Sequence, residues 1–281
     1  MQGVKVSIDR VVVDFSNVYW DFFNPFRKWL CDFYYAKFYV KDKGFKYHIR
    51  VREGKYWVHI SYQLVFARMA RKHTLRLECS PDTLVHFRSW ISRIVSNANE
   101  ILLVRWEVAF DIPLRLSELF ILSLTGRNMK KRKGRFYSNE RYQRQVAGYC
   151  RVYDKRLELL QRQGITIEGE LTRFEIVYKP DDKIPMDKLV QFPPEFSKLY
   201  LCAHATKLEQ LKPKLLRQVQ GMMHGELEQK DVTYYYRSQI KAEMRKRAIL
   251  DFDILAKKQW EEAITITCAI LGGVINKVPV A

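Results

Sequence analysis

Arg105-Trp106-Glu107-Val108-Ala109-Phe110-Asp111 alternates in the two-residue period of a β-strand, with Trp106, Val108 and Phe110 on one side and Glu107, Ala109 and Asp111 on the other. A similar stretch, Asp9-Arg-Val-Val-Val-Asp14, lies upstream, and Asp111 follows Asp14 by 97 residues. The same shift of 97 relates Tyr153 to Tyr56, Glu175 to Glu78 and Arg173 to Arg76. A fixed period points to a duplicated unit. The second copy sets Tyr153 in Arg151-Val-Tyr-Asp-Lys155 and Glu175 in Thr172-Arg-Phe-Glu175, which makes it the copy to search for chemistry.

Working outward, alternation with β-branched and aromatic residues predicts strands over 4–15, 56–60, 75–79, 101–112, 149–153 and 171–179. Spacings of three to four predict helices over 18–38 and 83–98, the latter starting at Pro81-Asp82-Thr83, and a helix over 114–123 after Pro113. The expected fold is α+β: two related halves with mostly antiparallel sheets flanked by helices, plus a helical C-terminal region. Breaks at Pro180–Pro185 and Phe192–Glu195 suggest three regions, 1–99, 100–180 and 181–281. Within the third, 208–223 and 236–267 have the pattern of amphipathic helices.

The 281 residues are 47% hydrophobic and 14% aromatic, enough for a substantial core. Against 31 acidic residues stand 49 Lys and Arg, a formal charge of +18, which favours a polyanionic partner, nucleic acid first. The longest uncharged run near a terminus, 263–275, has 13 residues, short of the roughly 20 that span a bilayer. Asp9 and Asp14 interrupt the first apolar stretch, so no signal peptide is expected; the reading is cytoplasmic, with no membrane partner. Five widely spaced cysteines read as buried thiols, with neither a disulfide framework nor a zinc knuckle.

Glu107 and Asp111 share a strand face, and a sheet pairing that strand with the one carrying Glu175 would gather three carboxylates. Such a group repels itself unless a cation joins it, and an all-oxygen set suits Mg²⁺ or Mn²⁺ better than Zn²⁺. Carboxylates on a solvated face paired with Arg105 or Arg173 are the ordinary alternative. None of the six histidines forms a His-hydrophobic-His pair or a His-Glu-x-x-His, which disfavours a two-histidine relaxase and a zinc hydrolase. A phenol is a poor nucleophile at neutral pH without cations or a base beside it. For Tyr153, Arg151, Lys155 and Arg156 supply cations and Asp154 an acceptor; Tyr234-Tyr235-Tyr236 beside Arg237 is a competitor. The most basic stretch holds Arg127, Lys130, Lys131, Arg132, Lys133, Arg135, Arg141 and Arg144 with interleaved Phe136, Tyr137 and Tyr142, the composition that single-stranded or locally melted DNA requires. No phosphate-binding Gly-x-x-x-x-Gly-Lys-Ser/Thr loop is present, so ATP hydrolysis is not expected.

Arg105-Trp-Glu-Val-Ala-Phe-Asp111, Arg151-Val-Tyr-Asp-Lys155 and Thr172-Arg-Phe-Glu175 together resemble, across roughly residues 100–180, the Arg-Leu-Asp-x-Ala-x-Asp strand, the Arg-Ile-Tyr-Asn/Asp-Lys motif and the Arg-Ile/Leu-Glu strand of the Rep_trans family, rolling-circle plasmid replication initiators and related element relaxases. The resemblance implies a metal-dependent enzyme that nicks one strand at a double-strand origin and becomes linked to the 5′ phosphate. It implies Tyr153 as nucleophile, Glu107, Asp111 and Glu175 as Mg²⁺ or Mn²⁺ ligands, and Lys155 and Arg151 as phosphate contacts, in a homodimer that recruits a host helicase. Glu107 stands where the family has Asp. A relaxase of an integrative conjugative element and a non-catalytic basic DNA-binding regulator are the alternatives. Under the duplication, the first half is expected to support the fold and contact DNA, and not to cleave.

Overall fold

The structure, a computed structural model, describes residues 3–67, 70–127, 129–138, 145–196 and 198–272, with the side chains of 65–72 left aside. In chain order the first half comprises β1 (Lys5–Ser16), α1 (Trp20–Tyr34), β2 (Lys37–Val40), β3 (Tyr47–Glu53), β4 (Tyr56–Ala67), β5 (Ala70–Cys79), α2 (Pro81–His86) and α3 (Arg88–Val95). The second half follows with β6 (Glu100–Ile112), β7 (Leu119–Ser123), β8 (Met129–Arg132), β9 (Arg135–Ser138), β10 (Cys150–Asp154), α4 (Lys155–Gln163) and β11 (Thr172–Tyr178). After it come β12 (Ile184–Pro185), β13 (Tyr200–His204), α5 (Pro213–His224), α6 (Tyr234–Arg247) and α7 (Phe252–Leu271). The fold is α+β, as expected.

Duplication is visible in the strand order. The first half runs β2-β3-β4-β5-β1 and the second β8-β9-β10-β11-β6, so each half lays its opening strand beside its last and then steps outward through a hairpin ladder. In the first half Ser80 caps α2, accepting from the Thr83 amide, and Pro81 occupies the helix's first turn. Val58, Ile60 and Tyr62 of β4, Leu75 and Leu77 of β5 and Val11, Val13 and Phe15 of β1 point to the helix side and are buried. Phe23 of α1 stacks on Tyr62 at 4.0 Å, and Trp90, Ile91 and Ile94 of α3 complete that core. In the second half Lys133 and Gly134 link β8 to β9 at φ 49° and 70°, the two positive values of a tight hairpin turn that glycine adopts without strain.

Three expectations change. Residues 114–123 are not a helix: a 3₁₀ turn at Leu116–Glu118 leads into β7, all five residues of which are buried against β13. The run predicted as one helix over 83–98 is α2 and α3, divided at Phe87, and the run over 236–267 is α6 and α7, divided by residues 248–251. The compact units also cut the chain differently from the three regions expected. One contains residues 1–7, 108–178 and 193–260; the other contains 8–107, 179–192 and 261–281. The C-terminal region therefore does not stand apart. Phe120 and Leu122 of β7 share a core with Ala203 of β13, Leu215 and Val219 of α5 and Ile240 and Met244 of α6, while Phe252 packs on Phe110 and Phe174 at 5.0 and 5.5 Å. Where the first half uses its own α1 and α3 as cover, the second uses these later elements. Among the described residues no helix is long and apolar enough to cross a membrane.

Candidate active site around Tyr153

β10 and β11 pair antiparallel, with Tyr153 opposite Arg173 and Arg151 opposite Glu175. Arg151, Tyr153, Arg173 and Glu175 therefore project from one face. The Tyr153 phenol donates a hydrogen bond to Glu175 Oε1. Arg151 Nε donates to Oε2 of the same carboxylate at 2.8 Å, and its Nη2 bonds it too. Tyr153 and Glu175 are 2% and 4% exposed, so this contact sits where charge interactions are strong. The cationic groups of Arg135, Arg151 and Lys155 lie 5.5, 5.1 and 5.9 Å from the centre of the Tyr153 ring. Burial first, then the Glu175 charge and hydrogen bond, push the Tyr153 phenol well above its ordinary pKa, and Arg151 opposes them. The phenol therefore keeps its proton at neutral pH, and Glu175 is the group positioned to accept it.

Asp154, the acceptor expected from sequence, is engaged elsewhere, since its Oδ1 accepts from the Leu157 amide at 2.9 Å and caps α4. Lys155 Nζ bonds Glu158 at 2.7 Å.

Asp111 is where sequence and structure part. Both its oxygens are held by Arg173, at 2.6 Å from Nε and 2.6 Å from Nη2. A bidentate guanidinium takes one lone pair on each oxygen, the ordinary arginine pairing that the sequence offered as the alternative to a metal ligand. The first half builds the same clamp, Arg76 holding Asp14 at 2.6 and 2.8 Å, and there Lys183 adds a contact at 2.8 Å. Asp14–Arg76 and Asp111–Arg173 keep the spacing of 97 residues in both partners. Glu107 belongs to the other compact unit, where its Oε1 lies 3.6 Å from Arg10. A carboxylate oxygen of Asp9 lies within 4.8 Å of one from Glu107, and Asp9 is a residue that sequence reasoning did not select.

The expected match of Tyr56 with Tyr153 does not hold. On β4 the residue opposite Arg76 is Ser61, so Ser61 is the counterpart of Tyr153, and His59, opposite Glu78, is the counterpart of Arg151. Tyr56 faces Glu53 at a hairpin and stacks on His86 at 4.0 Å. Among the described residues, then, only the second copy places a phenol on its glutamate. In the first copy Glu78 is held by Arg10 and Arg105 at 3.1 and 3.2 Å.

Lys130, Lys131 and Arg132 lie on β8, Lys133 in the turn and Arg135 on β9; Lys131, Arg132 and Lys133 are exposed and Lys130 and Arg135 half-buried. Arg127 donates to the Ala147 carbonyl at 2.6 Å. Arg141 and Arg144 lie outside the described residues. Beside the strand ends, a cavity of about 640 Å³ is lined by Arg115, Lys131, Phe136, Arg156, Leu157 and Met223 among others. The competing tyrosines Tyr234 and Tyr235 are exposed at the start of α6, and their phenols meet no carboxylate among the described residues. Four of the five cysteines are buried and the fifth, Cys31, is half-buried, all as free thiols. No protein-family model matches the chain, and no curated protein matches it.

Proposed function

We propose that this chain nicks and closes DNA with Tyr153 as nucleophile, in the manner of a plasmid rolling-circle replication initiator. The observation that carries the reading is the Tyr153–Glu175 hydrogen bond, ringed by Arg135, Arg151 and Lys155 and without a counterpart in the first half. In the step we propose, the phenol oxygen attacks a backbone phosphorus and the bond to the 3′ oxygen breaks. The phenol proton passes to Glu175, the departing 3′ oxygen takes a proton from water, and the cations neutralise the phosphate. The phosphotyrosine conserves the bond energy, so the reverse step closes the strand without ATP. A bound Mg²⁺ or Mn²⁺ would polarise the scissile phosphate.

On this reading the partner is origin DNA, the setting is the cytoplasm, and a homodimer and a host helicase complete the assembly. A relaxase of an integrative element would use the same chemistry. One observation favours a non-catalytic DNA-binding regulator: at 2% exposure, with Glu175 already held by Arg151, Tyr153 has the surroundings of a structural residue. A supercoiled plasmid bearing the element's own origin, incubated with the protein and Mn²⁺, separates the two. The proposal expects an open circle with protein on one 5′ end; retardation with no open circle would support the regulator.

A further inference from the structure

We propose that the polar face of β2, β3 and β4 is a platform for an unpaired nucleic-acid strand, distinct from the Tyr153 site. Register decides which residues share that face: Lys37 lies opposite Arg50, Arg50 opposite His59, Tyr39 opposite His48, and Arg52 opposite Trp57. The reverse side carries Ile49, Val51, Val58, Ile60 and Tyr62 and is closed by α1, as described above. Lys37, Arg50 and Arg52 are exposed and have no acidic partner among the described residues. The face is not simply basic. Arg50 lies over the Tyr39 ring at 5.3 Å and Arg10 over the Trp57 ring at 5.0 Å. Tyr39, His48 and His59 form a nearly parallel ladder across the three strands, with successive ring centres 5.0 and 5.3 Å apart. Hydrogen bonds lock this ladder: His48 Nδ1 to His59 Nε2 at 3.2 Å, Tyr39 Oη to His59 Nε2 at 3.2 Å, and His48 Nε2 to the Phe45 carbonyl at 2.7 Å.

His48 is buried between its neighbours and holds the ladder in place, which leaves half-buried Tyr39, His59 and Trp57 beside free cations; that is what a single strand needs, because bases stack on accessible rings and guanidinium planes while phosphates meet the cations. A duplex offers the phosphates but keeps its bases stacked. The acids on this side do not cancel the charge, since Asp14 is held by Arg76 and Lys183 and Glu78 by Arg10 and Arg105. The inference rests on the reading that the partner is nucleic acid, but it needs no cleavage.

Binding of a fluorescent oligo-dT to the Tyr153→Phe protein in EDTA, followed from 50 to 300 mM salt, tests it apart from the nicking chemistry. The Lys37→Gln/Arg50→Gln double variant, checked for native melting, should bind at least tenfold more weakly. Its log–log salt slope should fall by about 1.4, two phosphate contacts at ~0.7 each. Trp57→Phe should lose most of the tryptophan quenching on binding. Unchanged affinity and slope in the double variant would overturn the platform. So would equal dependence of duplex binding on the two residues, or a preference for phosphatidylserine vesicles over oligo-dT. Loss of nicking in the Tyr153→Phe protein with oligo-dT binding retained would leave the platform standing.

Discussion

Tyr153 is protected and restrained by the same surroundings. Burial and Glu175 hold the proton on the phenol; on the proposed function the residue would be inert until the carboxylate took that proton in the presence of a phosphate. Glu175→Gln keeps the shape and a hydrogen-bond acceptor but removes the base. It is expected to lower the rate of strand cleavage 10²-fold or more while leaving DNA affinity within about twofold, a split that single-turnover cleavage and binding assays read directly. Asp111 follows a different logic. With both oxygens on Arg173 and a side chain 14% exposed, its loss strands a nearly buried guanidinium. Asp111→Ala should cost about 3 kcal/mol in urea unfolding, and Asp111→Ala/Arg173→Met should recover much of it. A metal-ligand role would instead leave stability nearly unchanged and raise the Mn²⁺ requirement.

Among the elements, β3 and β4 carry two histidines that meet across the pair. Burial lowers the pKa of His59 to about 4, with Glu78 opposing the shift and His48, Arg50 and Lys41 reinforcing it. His48 is lowered too, chiefly by burial. The folded ring thus refuses a proton that the unfolded chain takes near pH 6.5, and the unfolded state binds more protons between those values. Stability from this pair is complete above about pH 6.5 and declines as pH falls toward 4. Urea midpoints at pH 7, 6 and 5 should drop in that order, and His59→Gln should flatten the drop. The strands that carry these residues were legible because each has a polar and an apolar side, and α2 because Ser80-Pro81 is a strong start. β7 was misread for a physical reason: all five of its residues are buried, so it has no alternation, and the proline before it imitates a helix start. The clamp that repeats at Asp14–Arg76 and Asp111–Arg173 was visible only as two obedient spacings. Tyr56 was matched to Tyr153 because spacing cannot register a difference in hairpin length; strand pairing can. Asp9 escaped notice because its neighbourhood with Glu107 depends on which strands lie side by side.

At the scale of the molecule, duplication made two strand ladders of one plan and then supplied their cover from different places. Phe110 and Phe174 of the second half lie against Phe252 and, for Phe110, Phe196, at 5.0, 5.5 and 5.7 Å. A fragment ending at residue 180 loses those partners along with β13, α5 and α6. It should be recovered as aggregate or show a non-cooperative melt by circular dichroism, and a cooperative melt like that of the whole chain would refute the shared core. On the proposed function the chemistry would be local to the second ladder, and the charge of +18 would draw a polyanionic substrate to both. The most direct measurement is to trap the protein on a nicked origin fragment with Mn²⁺, digest it and locate the DNA-linked residue by mass spectrometry. The account predicts the nucleotide on Tyr153 alone, absent in Tyr153→Phe and unaffected by Tyr56→Phe; an adduct on Tyr234, Tyr235 or Tyr236, or one that persists in Tyr153→Phe, would contradict it.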